Sequence, residues 1–160
     1  MRRGGDRTGS RLVRRKHLHE PAGRCHAAFM PGETDLRALL RSMEPVADDC
    51  DYVFCTAPSL PEIEALCTFR ETEGVTLICR RAEAERAGLP FTFPCRRITL
   101  TVHSSLEAVG LLAVVSTALA RSGISANVVS AYYHDHLFVK AEDVSRALKV
   151  LAGIEGKAQL

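Results

Sequence analysis

The fold class follows from the stretch Ile98–Val139, which reads ITLTVHSSLEAVGLLAVVSTALARSGISANVVSAYYHDHLFV. Its alternating and helical apolar spacings predict a strand, a buried helix and two antiparallel strands, and residues 142–151 continue as an amphipathic helix. The resulting order, β-α-β-β-α, lacks one strand of the ferredoxin-like βαββαβ unit. We therefore expect an α+β protein in which a strand from the first half of the chain completes the second half.

Polar residues gather where the regular elements of this stretch break. Ser104 and Glu107 have the spacing of a capping box, so we expect the helix to begin there. Gly123 is expected to end it. His134-Asp135-His136 is expected to form a tight turn between the two following strands.

The first half of the chain predicts a second α+β unit. Residues 35–43 have helical apolar spacing, 51–56 and 75–79 are typical of strands, and 80–87 predict a short helix. Pro90 and Pro94 indicate a connector before the strand that opens the second half. Because a unit of about 65 residues would be marginally stable alone, we expect the two units to share a sheet or pack side by side.

Charge is distributed unevenly along the 160 residues, whose formal net charge is +2. Residues 1–29 hold eight Lys and Arg against two Asp and Glu, so the rest of the chain is mildly acidic. We predict a basic, disordered extension over 1–29. One alternative function is therefore an adaptor that binds nucleic acid or a membrane surface through this extension, although nucleic acid is not the expected partner.

Cysteine usage and hydropathy favour a soluble cytoplasmic protein. The six cysteines include no CxxC pair, and Cys55 and Cys79 lie in apolar runs, which predicts reduced structural thiols. The longest uncharged run of the central helix, Ala108–Ala120, has 13 residues, too few to span a bilayer. No secretory apolar segment is present, so we expect neither export nor a transmembrane segment.

Several motifs resemble a bacterial family of small tandem ACT-domain proteins. TFRETEGVTLI (Thr68–Ile78) is similar to the TFRE-x-EG-x-T motif of the first half of that family. The opening stretch contains its S-S-L-x-A-V-G, G-I-S-A-N-V and H-D-H-x-F-V motifs in the same order. The resemblance implies an ACT-like unit over 30–95, a second ACT unit over 96–155 and a tail over 156–160.

Similar ACT pairs form the regulatory region of aspartate kinases, where amino acids bind at the ACT–ACT interface. The resemblance therefore implies ligand sensing, with the ligand near the turn between first strand and first helix. Unpaired N–H groups at a helix start suit a carboxylate, an Arg can grip one bidentately, and a Glu can hold an ammonium group. The candidate ligand-binding residues are His103, Ser104, Ser105, Leu106, Glu107, Ser125, Asn127, Arg70, Glu71, Glu73 and Asp135.

Structural roles are open for many of these residues. Ser104 and Glu107 can act as a helix cap alone, Asn127 can satisfy turn backbone, and Arg70 can lie at an ordinary surface strand end. A second alternative function is a metal-dependent enzyme using His134, Asp135 and His136, since two histidines on one strand face can share a metal ion.

No motif for nucleophilic catalysis, phosphate binding or dinucleotide binding occurs in the sequence. We therefore predict a non-catalytic regulatory module, without a cofactor, that binds an amino acid or a similar small polar ligand. The apolar first turns of the helix near Ala108 offer a contact for a homodimer.

Overall fold

The computed structural model describes residues 31–154, which form four α-helices and six β-strands. The helices are α1 (Leu36–Ser42), α2 (Arg81–Arg86), α3 (Leu111–Arg121) and α4 (Val144–Ala152), and a 3-10 turn, Ala141–Asp143, precedes α4. The strands are β1 (Pro45–Ala57), β2 (Ala65–Glu71), β3 (Gly74–Arg80), β4 (Phe91–Leu100), β5 (Ala126–Ser130) and β6 (Asp135–Lys140). The predicted extension, 1–29, and the predicted tail, 156–160, lie outside the described residues.

The six strands form one antiparallel sheet in the order β2-β3-β1-β4-β6-β5. The long strand β1 lies at the centre, where its start pairs with the end of β4 (Pro45 opposite Leu100). The end of β4 pairs in turn with β6 of the second half. The prediction of an α+β fold, in which a first-half strand completes the second unit, is confirmed.

The helices cover one face of this sheet. Side chains alternate along a strand, so Ile98 of β4 points toward the helix layer and packs in the core that α1, α3 and α4 share. Val53 of β1 lies on the same face and packs with Ala84 of α2. On the other face, Tyr52 and Phe138 belong to a cluster that no described helix covers. Recognition groups can therefore lie either at the helix ends or on the helix-free face.

Three sequence-based boundaries were wrong. Helix α3 begins at Leu111 rather than at Ser104, because residues 105–110 are not helical and include a turn at residues 106–107. Pro94 lies within β4 rather than in a connector, next to a bulge where Phe93 has φ 54, and bulges tolerate the missing N–H of proline. Asp135 opens strand β6 instead of occupying a turn. The boundary between the two units, predicted after residue 95, stays a prediction, and β4 extends across it.

Candidate functional site

A cavity of about 140 Å³ opens at the N-terminus of α3. One wall is the loop Ser104–Leu106, a second is the first turn of α3, and the third is formed by Ser130 and Asp135. These residues meet because the last residues of β4 and β5 pair with the first residue of β6, so all three strand ends lie together. The cavity is thus built from three separate segments of the second unit.

Asp135 is the most unusual residue of the cavity, because its exposed fraction is only 5%. Ser130 Oγ donates to its Oδ1 at 2.5 Å, and Ser104 Oγ donates to its Oδ2 at 3.2 Å. None of the basic side chains among residues 31–154 forms an ion pair with it. A buried carboxylate without a cation carries a large desolvation cost, so the site is electrostatically suited to a cationic group.

The opposite wall of the cavity offers hydrogen-bond donors. Gly110, the N-cap of α3, has φ 103 and no side chain to cap the helix. The N–H groups of Leu111, Leu112 and Ala113 consequently have neither an intrahelical acceptor nor another hydrogen-bond partner among the described residues. Such a helix terminus attracts anions through these donors and through the helix dipole.

The segment before α1 holds the loop that contains Ser104. The Glu33 N–H donates to His103 O at 2.9 Å, and the Ser105 N–H donates to Glu33 O at 2.9 Å. Gly32 packs so closely that a Cβ there would lie 2.4 Å from Ser105 N. The sequence predicted neither these contacts of Gly32 and Glu33 nor a place for Ser130 and Gly110 in the site. Gly110 could have been recognised as a break between turn and helix.

Exposed aromatic and apolar side chains lie close in the chain to residues that line the cavity. The His103 ring lies 5.0 Å from the Tyr133 ring, and the Tyr132 and Tyr133 rings are 4.8 Å apart, measured between centroids. Leu106 and Val109 are 68% and 82% exposed. Polar and apolar residues therefore both line the cavity, and the exposed apolar side chains lie close to it in the chain.

The structure brings only part of the predicted site together. Ser104, Ser105, Leu106 and Asp135 line the cavity. His103 does not line it, and its ring contacts that of Tyr133. Glu107 is exposed and is not a lining residue; its N–H donates to Ser105 Oγ at 3.2 Å, so the expected capping box is absent.

Ser125 and Asn127 lie at the opposite end of β5 from the cavity. Asn127 pairs with Phe138, which places its side chain on the helix-free face. Since successive side chains alternate across the sheet, it points away from the helix layer that builds the cavity. Neither residue lines the cavity.

Arg70, Glu71 and Glu73 lie at the turn between β2 and β3. Glu71 accepts a hydrogen bond from Thr76 Oγ1. Strand β2 is separated from β6 by four inter-strand steps, or about 19 Å, so these residues do not reach the cavity within one chain.

His134, Asp135 and His136 do not converge. His134 Nδ1 lies 3.2 Å from Val102 O, and His136 Nδ1 lies 3.0 Å from Thr99 Oγ1 on the helix-free face, opposite to Asp135. Burial lowers the pKa of His136, with a further contribution from Arg97. Among residues 31–154, no group of three His, Cys, Asp or Glu side chains is placed to hold a metal ion.

The five cysteines among the described residues are free thiols. Cys55 and Cys79 are buried in the core beneath α2, where their sulfur atoms are 3.9 Å apart. None of the described helices is long and apolar enough to cross a membrane. The basic extension, on which the adaptor alternative depends, lies outside the described residues.

Comparison with known proteins places this geometry in a family. Two family models, each described as an ACT domain, match residues 31–96 and 92–153. A Vibrio cholerae protein of unknown function is 47% identical, with a TM-score of 0.68, and the match covers 75% of this chain and 95% of that protein. No curated protein matches the chain.

Two more distant structures share the fold. The regulatory subunit of aspartate kinase from Thermus flavus is 10% identical, with a TM-score of 0.55, over 71% of this chain and 97% of that subunit. An Agrobacterium tumefaciens protein is 16% identical, with a TM-score of 0.62, over 71% and 89% of the two chains. The two matching models and the close Vibrio relative together show that this chain belongs to the ACT-domain family and contains two ACT domains in tandem.

Proposed function

We propose that this chain is a non-catalytic regulatory module that binds a small amino acid in the cavity at the N-terminus of α3. The observation that carries the proposal is the buried carboxylate of Asp135, which has two hydroxyl partners and no cation, facing an uncapped helix start. A zwitterion has the complementary pair of charges. Its ammonium group would pair with Asp135, and its carboxylate would accept hydrogen bonds from the N–H groups of Leu111–Ala113.

The size and lining of the cavity support a small ligand. A volume of about 140 Å³ is well below the range of drug-sized pockets. Leu106 and Ala108 line its apolar side, so the ligand side chain is expected to be short and uncharged. The likeness to regulatory subunits of aspartate kinase supports amino-acid sensing as the function.

Isothermal titration calorimetry with individual amino acids tests the proposal. We expect one or more small neutral amino acids to bind, and the Asp135→Asn variant to lose about tenfold or more in affinity, since it removes a charge-assisted contact. Glu107→Gln is the matched control, because Glu107 belongs to the same loop but does not line the cavity.

Thermal unfolding gives an independent measurement. A ligand present at 100 times its Kd adds about 2.7 kcal/mol to the free energy of unfolding, which is readily detected as a rise in Tm. If no amino acid binds at millimolar concentration, or if Asp135→Asn binds as tightly as the unaltered chain, the proposed function is wrong.

We also propose that two copies associate through the exposed rim formed by Leu106, Val109, Tyr132 and Tyr133. Large exposed apolar side chains often mark a protein contact, and Leu106 of this rim also lines the cavity. A homodimer formed there would cover the ligand. Location in the cytoplasm stays a prediction from the sequence.

A further inference from the structure

A second cleft lies on the helix-free face of the sheet, where β1 bulges. Between Ala47 and Asp51, β1 inserts three residues opposite the single residue Arg97 of β4. The bulge bends β1 away from its partner, and bulges of this kind re-aim side chains beside functional sites. The resulting cleft has a volume of about 240 Å³ and is lined by Asp48, Cys50, Tyr52, Glu64, Leu66, Arg80 and Arg97.

Asp48 organises the floor of this cleft. Its carboxylate accepts hydrogen bonds from the Cys50 N–H at 2.8 Å, the Tyr52 hydroxyl at 2.8 Å and Arg97 Nη2 at 2.6 Å. The Arg97 guanidinium also lies over the Tyr52 ring, 5.5 Å from its centroid. Three side chains are therefore held in a fixed arrangement before any ligand arrives, which reduces the entropy lost on binding.

Hydrogen-bonding capacity is left over at Arg97. Its Nε is buried and has no hydrogen-bond partner. The bond to Asp48 uses Nη2, and Nη1 donates to none of the described residues. A buried donor without an acceptor costs about 1–3 kcal/mol. Because Nη2 is bound to Asp48 and Nε is buried, Nη1 is the nitrogen of this guanidinium that remains to donate to a ligand carboxylate.

Two charged side chains stand at the rim of the cleft. Arg80 and Glu64 are exposed, and neither forms an ion pair with the other or with another described side chain. The Asp48–Arg97 pair neutralises itself on the floor. The charge of Arg80 helps to lower the pKa of Glu83 on α2, but the two side chains form no ion pair. The cleft therefore presents one cation and one anion that are outside any ion pair, beside the exposed apolar side chain of Leu66.

We propose that this cleft is a second ligand site, which takes a zwitterionic metabolite larger than the one proposed for the α3 cavity. The ligand carboxylate binds between Arg80 and Arg97, its ammonium group binds Glu64, and its apolar part contacts Leu66. A simple anion would leave Glu64 unpaired and repelled, so the balance of charges selects a molecule that carries both groups.

The position of the cleft gives a ligand there a structural consequence. Both β1 and β4 pair with strands of both units, and Arg97 lies on β4 directly opposite Phe138 of β6. A ligand that bridges Arg97 and Arg80 connects β4 to the end of β3. It therefore reinforces the central strand pairing on which both ACT units depend.

Two-dimensional NMR of the full chain tests this proposal with the common L-amino acids, added one at a time at millimolar concentration. We expect at least one with a long side chain to shift the backbone amide signals of Cys50 and Tyr52 in the bulge. Arg80→Gln and Glu64→Gln should each weaken that binding by about tenfold or more. Glu62→Gln is the matched control, because Glu62 is exposed nearby but does not line the cleft.

Analogues of the binding amino acid that lack one of its two charged groups test whether both charges are required. The carboxylic acid that lacks the amino group, and the amide that lacks the carboxylate, should each bind about tenfold or more weakly than the amino acid. The proposal is wrong if no amino acid shifts the bulge signals, if either rim variant binds normally, or if the deaminated acid binds equally well. Asp135→Asn should leave this binding unchanged, which separates the cleft from the α3 cavity.

Discussion

Asp48 contributes to stability through a carboxylate that is already ionised in strongly acidic solution. Partial burial alone would raise the pKa of Asp48, but hydrogen bonds from the Cys50 N–H, the Tyr52 hydroxyl and Arg97 outweigh that effect and lower the pKa to about 2. The ordinary value, 3.8, applies to the unfolded chain. Because the folded pKa is the lower one, the stabilisation is complete above about pH 4 and is lost as the pH falls toward 2.

Replacing Asp48 by Asn should therefore lower the free energy of unfolding by about 2 kcal/mol at neutral pH, and should flatten its decline in acid. Urea unfolding across this pH range measures both effects. Asp49→Asn is the control, since Asp49 is fully exposed and its nearest ion-pair contact, with Arg96, is 3.9 Å long. Equal pH profiles for the unaltered chain and Asp48→Asn would contradict the assigned hydrogen bonds.

Single residues were predictable where their chemistry is local. Asp135 could be selected as a candidate because an acidic residue between two histidines is conspicuous in the sequence. Its partner Ser130 could not, because the bond between them depends on the turn over residues 131–134 and on strand pairing. Arg97 could not be selected either, because an Arg in a strand has no distinguishing sequence signal until a bulge is placed opposite it.

Helix α3 depends on an unusual start. Gly110 adopts φ 103, which L-residues rarely adopt, and a Cβ there would lie 3.1 Å from Leu36 Cδ2 of α1. Leu36 therefore leaves little room for a side chain at the start of α3, whose first turn forms one wall of the α3 cavity. The glycine is therefore required by both backbone conformation and packing.

Gly110→Ala should lower the free energy of unfolding by about 2–3 kcal/mol and weaken amino-acid binding, because it strains the N–H groups at the helix start. Gly123→Ala is the matched control: Gly123 has φ 67, and nothing lies within 4 Å of an added Cβ. That variant should lose only about 1 kcal/mol. Guanidinium unfolding and calorimetry measure the two effects, and equal losses in both variants would contradict the packing role of Gly110.

The existence of α3 was predictable from its apolar spacing, but its start was not. A Ser followed three residues later by a Glu is a local capping signal, yet tertiary contacts use Ser104 differently. Its hydroxyl donates to Asp135, and its backbone lies beside Glu33 in an isolated bridge. Long-range bonds thus displaced the helix start to the residue after Gly110.

At the scale of the whole molecule, the proposed dimer is expected to depend on the exposed rim. Val109 is 82% exposed, so Val109→Lys should leave the fold unchanged while placing a charge in the contact. Light scattering should then give a dimer mass for the unaltered chain and a monomer mass for the variant. Val46→Lys is the control, because Val46 is also exposed but lies outside the rim. A monomeric unaltered chain would exclude the dimer.

The shared sheet explains why two small units form one stable body. The first unit has no helix between β1 and β2, and the second has no closing strand of its own after α4 among residues 31–154. Pairing of β1 with β4, and of β4 with β6, joins the strands of both units into one sheet and supplies the missing pairing. The missing strand was visible in the sequence, because counting elements needs no tertiary information.

The sequence by itself determined the class of elements, the family motifs and the need for a strand shared between the halves, because apolar periodicity is local and directly reflects burial. Only the tertiary structure decided which polar residues meet. Strand order separates Arg70 from the α3 cavity, strand alternation turns Asn127 away from it, and register brings Ser130 to Asp135. Strand order, alternation and register all arise from pairings between strands, which no local pattern encodes.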